Sequence, residues 1–366
     1  MFSVKRLQSV DTLRGLTIIA MILVNNPGTW SFVYPPLLHA KWHGLTPTDL
    51  IFPFFLFIVG ISIALAYKNK NANKATYKKI IVRSLKLVGL GLFINIFTPN
   101  FPFFEELQTI RIPGVLQRIG IVFFVSSILF LNLTIKSIIS VIIFVLIGYF
   151  LFTGFIHLPN GELPSFDNNL NNWSNYSDYK ILGKHMWRST FDPEGLLSTI
   201  PSIVTCLLGI VAGKILTFKN SYKKEHQLLF YAIILFTLGY TWSIWYPINK
   251  TIWTGSFVLV TAGWASFALS ITYYINDIKN ITLSKKLIYV SKNAITIYFL
   301  SMVIAKTFYL IKVNDNESIH SWLFNNLFNH HIQITELASL LYALSVVSFY
   351  LLLSYILFKK NIFFKV

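Results

Sequence analysis

The sequence predicts an all-α fold: a polytopic membrane helical bundle of about ten transmembrane helices, both termini cytoplasmic, built as one domain over residues 1–366. Three observations predict it. The chain is 54% hydrophobic and 12% charged, with a mean hydropathy of +0.60, whereas a soluble chain carries roughly 25% charged residues. Apolar stretches recur along its whole length. Lysine and arginine gather in every second connection between them.

A spanning helix needs about 20 mostly apolar residues. The candidates are residues 13–27, 50–67, 80–97, 114–131, 137–155, 196–216, 228–246, 253–275, 287–311 and 337–358, the first having the shortest apolar run. Lys68, Lys70, Lys74, Lys78 and Lys79 follow the second. Lys219, Lys223 and Lys224 follow the sixth, Lys279, Lys285 and Lys286 the eighth, and Lys359, Lys360 and Lys365 the tenth. All fall after even-numbered segments, hence on one side, and the positive-inside tendency makes that side cytoplasmic. Lys5 and Arg6 join them if the first segment crosses. They resemble the start of a signal peptide, but Asp11 and Arg14 interrupt it and no small-residue cleavage site follows, so a retained first helix is expected. The +17 net charge then reflects membrane topology, and no nucleic-acid partner is expected.

Residues 156–195 form the one sizeable stretch between apolar segments. They are rich in Asn, Ser, Asp and Trp, too short for a domain and too aromatic for a linker, and are expected to form an extracytoplasmic cap segment. The single cysteine, Cys206, lies in an apolar run. It excludes an internal disulfide framework and gives no metal-site spacing, so no metal is expected. The chain has no Walker A element, Gly-x-Ser-x-Gly, His-Glu-x-x-His or Cys-x-x-Cys, which argues against a nucleotide-driven pump, a serine hydrolase and a zinc protease.

Polar groups collect where the first segment ends and the second begins. Asn25, His39 and Asp49 sit at one rim of neighbouring spans. Ionisable groups at a membrane boundary must be solvated, paired or functional. A neutral imidazole could take a proton from an attacking amine or hydroxyl, or carry an acyl group itself. Asp49 could fix its tautomer, and Asn25 could donate to a developing oxyanion. The plainer reading is a histidine bonded to a loop carbonyl, and His43 competes with His39 for the role. Asp11 suits a helix start, and Arg14, three residues on, either pairs with it or holds an anionic headgroup. Arg111 is expected at the outer rim, with Pro113 in the first turn of the fourth span. Arg118 should lie about two turns inside, needing either an internal partner such as Asp49 or a ligand anion. Asp192 reads as an N-cap with Pro193 at the first helical position and Glu194 in the first turn. Asn249 and Lys250 lie in a tight outer turn that could meet a substrate. Asn293 is expected inside the ninth span.

These residues together resemble a known family. Asp11-Thr12-Leu13-Arg14-Gly15, Val24-Asn25, His39-Ala40-x-Trp42-x-Gly44-Leu45-Thr46-x-x-Asp49-Leu50-x-Phe52-Pro53, Arg111-Ile112-Pro113-Gly114-Val115-Leu116-Gln117-Arg118 and Phe191-Asp192-Pro193-Glu194-Gly195 look like the heparan-α-glucosaminide N-acetyltransferase family and its bacterial relatives. The likeness extends to Pro247-x-Asn249-Lys250-x-x-Trp253 and to Asn293. It implies acetyl transfer from cytoplasmic acetyl-CoA to the amine of a glucosamine-type sugar on the other side. It matches the family's catalytic histidine to His39, its asparagine partner to Asn25 and its nearby aspartate to Asp49. Arg14, Arg118, Arg111 and Asn293 are then expected to bind the donor, and Trp42, Asp192, Glu194, Asn249 and Lys250 the acceptor. Against the animal members the chain is expected to lack their extra N-terminal lumenal region and to have a slightly longer stretch between Asn25 and His39, including Pro35-Pro36. A multi-pass protein of a bacterial cytoplasmic membrane is the expectation, in contact with membrane lipid and with a homodimer left open. A transporter or flippase for a sugar or lipid-linked sugar is the competing class.

Overall fold

The computed structural model describes residues 7–106, 108–218, 223–315 and 317–364, so Lys5, Arg6, Lys219 and Lys365 of the basic clusters lie outside the described residues. Within them the regular structure is almost all helical. The helices are α1 (Gln8–Asn25), α2 (Ile51–Ala66), α3 (Lys74–Ile96), α4 (Val115–Asn132), α5 (Ile135–Phe155), α6 (Trp173–Leu182), α7 (Thr199–Thr217), α8 (Lys224–Trp242), α9 (Gly255–Tyr273), α10 (Lys285–Lys292), α11 (Ala294–Leu310), α12 (Ile319–Phe324) and α13 (Thr335–Lys359). A small antiparallel hairpin, β1 (Lys312–Asn314) and β2 (Glu317–Ser318), precedes α12.

Among the described residues six segments are long and apolar enough to cross a membrane: Pro47–Ala66, Val115–Asn132, Ile135–Phe155, Thr199–Thr217, Gly255–Ile278 and Thr335–Lys359. The pair α10 and α11 makes a seventh if its two arms count as one broken span. Polar and charged residues dilute α1, α3 and α8, which nevertheless pack as full-length members of the bundle. Large apolar side chains on the outer faces of α5 (Phe144, Leu151) and α13 (Phe349, Leu352) stay exposed, as a lipid-facing surface requires.

Close backbone packing holds the centre. Helices α2 and α7 cross so tightly that a Cβ on Gly60 would overlap the Cys206 carbonyl, and one on Gly209 would overlap that of Phe57. In lipid, where apolar side chains gain little by meeting one another, small residues of this kind let backbones approach.

Hydrogen bonds define the two ends of the bundle. At one end Lys68 and Lys224 donate to the last carbonyls of α7, at Thr217 (2.9 Å) and Leu216 (2.6 Å). Asp277, just beyond α9, accepts from the Gln8 and Ser9 amides at 2.9 and 3.0 Å and so caps α1. This moves the start of α1 to Gln8 and leaves Asp11 inside the first turn rather than at its start. The lysine-bearing turns therefore meet at a common basic end. At the other end the 156–198 stretch folds over the bundle around α6, whose first amides are capped by Asn172.

Three local expectations are corrected. Helix α7 begins at Thr199, so Asp192 caps no helix; Arg111 and the cap backbone recruit its carboxylate into a turn instead. Helix α4 begins at Val115, so Pro113 precedes the helix, and Arg118 sits in its first turn rather than two turns deep. The ninth segment is not continuous: α10 and α11 meet at 81° at Asn293, whose φ of −123° leaves the helical region.

Candidate active site

The 38–50 stretch is organised by one carboxylate. Asp49 is 1% exposed, in a 3₁₀ turn at the start of α2. It accepts from the Thr46 amide (3.1 Å), the Thr46 hydroxyl (2.9 Å), the Ala40 amide (3.1 Å) and His39 Nδ1 (2.7 Å). The bond to Nδ1 assigns that nitrogen its proton and leaves Nε2 as the basic atom. The His39 side chain is 51% exposed, so Asp49 anchors a ring that reaches open space at the cap end.

Lys250 completes the group from 211 residues away. Its Nζ lies 3.0 Å from His39 Nδ1, 3.3 Å from Nε2 and 3.6 Å from Asp49 Oδ1. It stands on the 247–254 turn, which Asn249 builds: Asn249 Oδ1 accepts from the Ile252 amide (3.1 Å), and Thr254 Oγ1 receives the Asn249 amide (3.1 Å). Asn249 is fully buried, and its Nδ2 pairs with His43 Nδ1 at 3.3 Å. His43 is thereby separated from the Asp49 cluster, turning instead to Asn249 and to Asp167 (3.3 Å). Trp42 is tied to the cap by its indole N–H, which donates to the Phe166 carbonyl at 2.8 Å, and by edge contact with Phe191.

Burial drives the Lys250 amine below the ordinary lysine range, although Asp49 and Glu194 pull the other way. The ammonium is therefore lost at a lower pH than for a free lysine, about 10.4. The acyl transfer expected from the sequence, where it relies on this ammonium, should fall on the alkaline side below that value. In Lys250→Arg, where the charge persists, this limb should move to higher pH; Lys250→Met should lose roughly tenfold or more in kcat/KM below the limb and converge on the parent protein above it. A pH profile of the three proteins checks both.

Beside this group lies an ionic clamp. Arg111 donates from Nε and Nη2 to the two carboxylate oxygens of Asp192 (2.8 and 2.6 Å) and also pairs with Glu194. The two carboxylates hold the guanidinium well above its usual range, against the effect of burial. Asp178, unnoticed in the sequence, accepts the Asp192 amide (3.2 Å) and the Leu196 amide (2.9 Å) and fixes the same turn. Arg118 is 1% exposed and is held by the Gly195 carbonyl (3.0 Å) and Ser198 Oγ (2.6 Å), with its guanidinium 5.1 Å over the Trp253 ring. Its Nε and Nη1 have no hydrogen-bond partner among the described residues. Asp49, the internal partner expected for it, is occupied elsewhere. Asn25 ends α1, which packs against the turn carrying Asp49, but its side chain makes no hydrogen bond to His39 or Asp49 among the described residues.

A cavity of about 650 Å³ opens towards the basic end. Arg14, Arg83 and Lys292 line it together with Ser62, Tyr67, Phe363 and Phe364, and its inner wall is apolar: Phe55, Val59, Ile119 and Phe123. From Tyr67 to Phe55 it follows α2 for about 18 Å, and Phe55 is a further six residues, about 9 Å, from Asp49. Arg14 both pairs with Asp11 (3.3 Å) and lines the cavity, donating to Ser62 (2.7 Å) and Ser291 (3.3 Å). Arg83 is a residue that sequence reading missed; its sign was a charge inside an otherwise apolar span. Asn293 works through the chain's own end: Nδ2 donates to the Ile362 carbonyl (3.0 Å) and Oδ1 accepts the Phe364 amide (3.1 Å), setting Phe363 and Phe364 in the cavity wall. Arg111, expected with the donor, lies at the cap end and does not line this cavity.

The molecule thus has a cationic chamber with an apolar neck at one end and a carboxylate-anchored imidazole at the other. Residues 6–248 match the family described as heparan-alpha-glucosaminide N-acetyltransferase, catalytic. The chain belongs to this family. Over 99% of its length it is 30% identical to the heparan-alpha-glucosaminide N-acetyltransferase of Homo sapiens, and over 100% it is 29% identical to that of Mus musculus. It spans 60% and 61% of the length of these relatives. The charged groups of the His39 cluster and the clamp all fall within or just after the matched region, whereas Lys292, Asn293, Phe363 and Phe364 lie beyond it.

Proposed function

We propose that this chain is a membrane acetyltransferase that moves the acetyl group of acetyl-CoA to the amine of a glucosamine-type sugar. In this reading α1, α2, α3, α4, α5, α7, α8, α9, α11 and α13 all cross the membrane. The basic end and both termini are cytoplasmic, and the cap faces outward from a bacterial inner membrane. The observation that carries it is the His39–Asp49 pair at 2.7 Å, standing at the cap-end mouth opposite a cationic cavity.

The cavity suits the donor. Phosphates match Arg14, Arg83 and Lys292, an aromatic base can stack on Phe363 or Phe364, and the apolar neck accepts a flexible arm. Acetyl-CoA supplies an activated thioester. His39 Nε2 takes a proton from the sugar amine as the new N–C bond forms and the C–S bond breaks; it returns that proton to the departing sulfur. Asp49 stabilises the transient imidazolium. Asn25 and the two uncommitted nitrogens of Arg118, Nε and Nη1, are assigned to the developing oxyanion and the acyl end of the donor. Trp42, Glu194 and Lys250 are assigned to the acceptor, with Asp192 and Asn249 holding their turns.

Purified protein incubated with labelled acetyl-CoA and glucosamine should yield N-acetylglucosamine. Sugar flux into vesicles without covalent change would replace this reading with a transporter. Labelled protein formed without acceptor would make His39 an acetyl carrier; its absence supports direct transfer.

Asn293→Ala removes two hydrogen bonds on the terminal segment, each worth about 1 kcal/mol. The KM for acetyl-CoA should rise roughly tenfold or more, with kcat nearly unchanged, as steady-state kinetics at saturating glucosamine would show.

A further inference from the structure

The mouth of the site already contains an amine. Lys250 Nζ stands 3.3 Å from His39 Nε2, the nitrogen left basic by the bond between Nδ1 and Asp49. A general base lies about 2.6–3.2 Å from the atom whose proton it removes, and often a little further before substrate binds. No other lysine among the described residues is bonded to an imidazole. Lys292, which lines the donor cavity, lies over the Phe358 and Phe363 rings (4.4 and 5.5 Å) and has no imidazole beside it among the described residues.

The amine is held in place. The turn that carries it is buttressed from α5, where the Tyr149 hydroxyl donates to the Ile252 carbonyl (2.8 Å), and Tyr149 in turn meets Ser174 of α6 (3.3 Å). The Lys250 side chain is 20% exposed, so a narrow opening leads to it. Its charged neighbours are Asp49 and His39 on one side and Glu194 and Arg118 on the other. Burial favours the uncharged amine over the ammonium, and the uncharged amine is the form that attacks an acyl carbon. The group thus combines a nucleophile with its general base at the place where the acetyl group is delivered.

We propose that Lys250 is a site of self-acetylation: when no sugar amine fills the mouth, its Nζ accepts the acetyl group of the thioester. The neutral Nζ attacks the carbonyl carbon, the N–C bond forms and the C–S bond breaks. His39 Nε2 takes the proton released by Nζ and passes it to the departing sulfur, so the products are an amide at Lys250 and a free thiol. The amide carries no charge and is no longer a nucleophile. The modified chain therefore loses the ammonium beside His39, and transfer stops. The proposal rests on the reading of the mouth as the place where acetyl-CoA meets an amine. A bound sugar amine competes with Lys250 for the acetyl group and so protects the protein.

The purified protein in nanodiscs is incubated with labelled acetyl-CoA and no sugar, and the label is mapped by peptide mass spectrometry. Lys250 should be labelled roughly tenfold or more faster than the exposed Lys41, with transferase activity falling in step. The label should resist hydroxylamine and stay on the protein when glucosamine is added afterwards. An acetyl group carried on His39 would instead be labile and would pass to the sugar. Glucosamine present from the start should slow the labelling severalfold. His39→Ala should slow labelling of Lys250 roughly tenfold or more and leave that of Lys41 unchanged. Lys250→Gln, whose side-chain amide imitates the product, should match the residual activity of the fully labelled parent. Labelling of Lys250 no faster than Lys41, or undiminished in His39→Ala, overturns the proposal. Acetylation of glucosamine by a protein whose Lys250 stays unlabelled also overturns it and leaves the transferase reading standing. His39-dependent label on Lys250 that glucosamine slows without itself being acetylated would retain the proposal and refute the transferase reading.

Discussion

His39→Ala should lower acetyl transfer to glucosamine by roughly a thousandfold while leaving acetyl-CoA binding within about twofold. The two halves of this expectation come from different ends of the molecule. His39 lies at the cap-end mouth, bonded to Asp49 and Lys250. The groups assigned to the donor's phosphates, Arg14, Arg83 and Lys292, line the cavity that opens at the basic end. Losing the imidazole removes the base for the amine without touching that chamber. The ring is half exposed and supports little packing, so the variant should remain folded. His43→Ala is the natural control. His43 bonds Asn249 and Asp167 rather than Asp49, so its loss should cost far less activity. Single-turnover assays of both variants, with donor binding measured by calorimetry, check the pair of expectations.

Asp49→Asn should reduce transfer by about two to four orders of magnitude, by a different route. Asp49 accepts four hydrogen bonds, and all four come from donors. An amide cannot match that pattern: its NH₂ would face the amides of Thr46 and Ala40 or the Nδ1–H of His39. Each mismatched buried bond costs about 1–3 kcal/mol. If the NH₂ turns towards His39, the ring takes the tautomer with its proton on Nε2, and the basic atom points away from the mouth. If it turns towards the loop, the 38–46 stretch loosens and His39 is misplaced. Thr46→Val distinguishes the two, because it removes the hydroxyl that bonds the Leu38 carbonyl (2.7 Å) and the carboxylate (2.9 Å), loosening the loop while leaving the carboxylate's charge. That variant should retain most activity, with Asp49→Asn inactive at equal melting temperature. Equal losses of activity in the two variants, in step with their losses of melting temperature, would assign Asp49 to loop folding alone.

The helices were legible because lipid imposes long apolar runs, and residues 50–67 and 137–155 match α2 and α5 closely. The break at Asn293 was not legible, because its cause is a long-range bond to Ile362 and Phe364. Asp192 misled for a similar reason: Asp-Pro-Glu is a good helix start locally, but Arg111, 81 residues away, takes the carboxylate first. The His39–Asp49 contact could be anticipated from a separation of ten residues at one rim. The approach of Lys250 could not, since it depends on how the turn before α9 folds over the second helix. Resemblance pointed to the lysine, and only geometry supplied its partners. The cavity was the least visible feature. Arg83, Lys292 and Phe363 come from three distant stretches, and nothing in their spacing joins them.

The central claim is that a thioester held in the basic-end cavity reaches the imidazole at the cap-end mouth. Electron cryo-microscopy of the protein with a non-hydrolysable thioether analogue of acetyl-CoA tests it most directly. The account predicts nucleotide density among Arg14, Arg83 and Lys292, an arm running past Phe55 and Ile119, and the acyl carbon within reach of His39 Nε2. An acyl group that stops beside Ser62 at the basic end, with packed side chains between it and His39, would contradict the account.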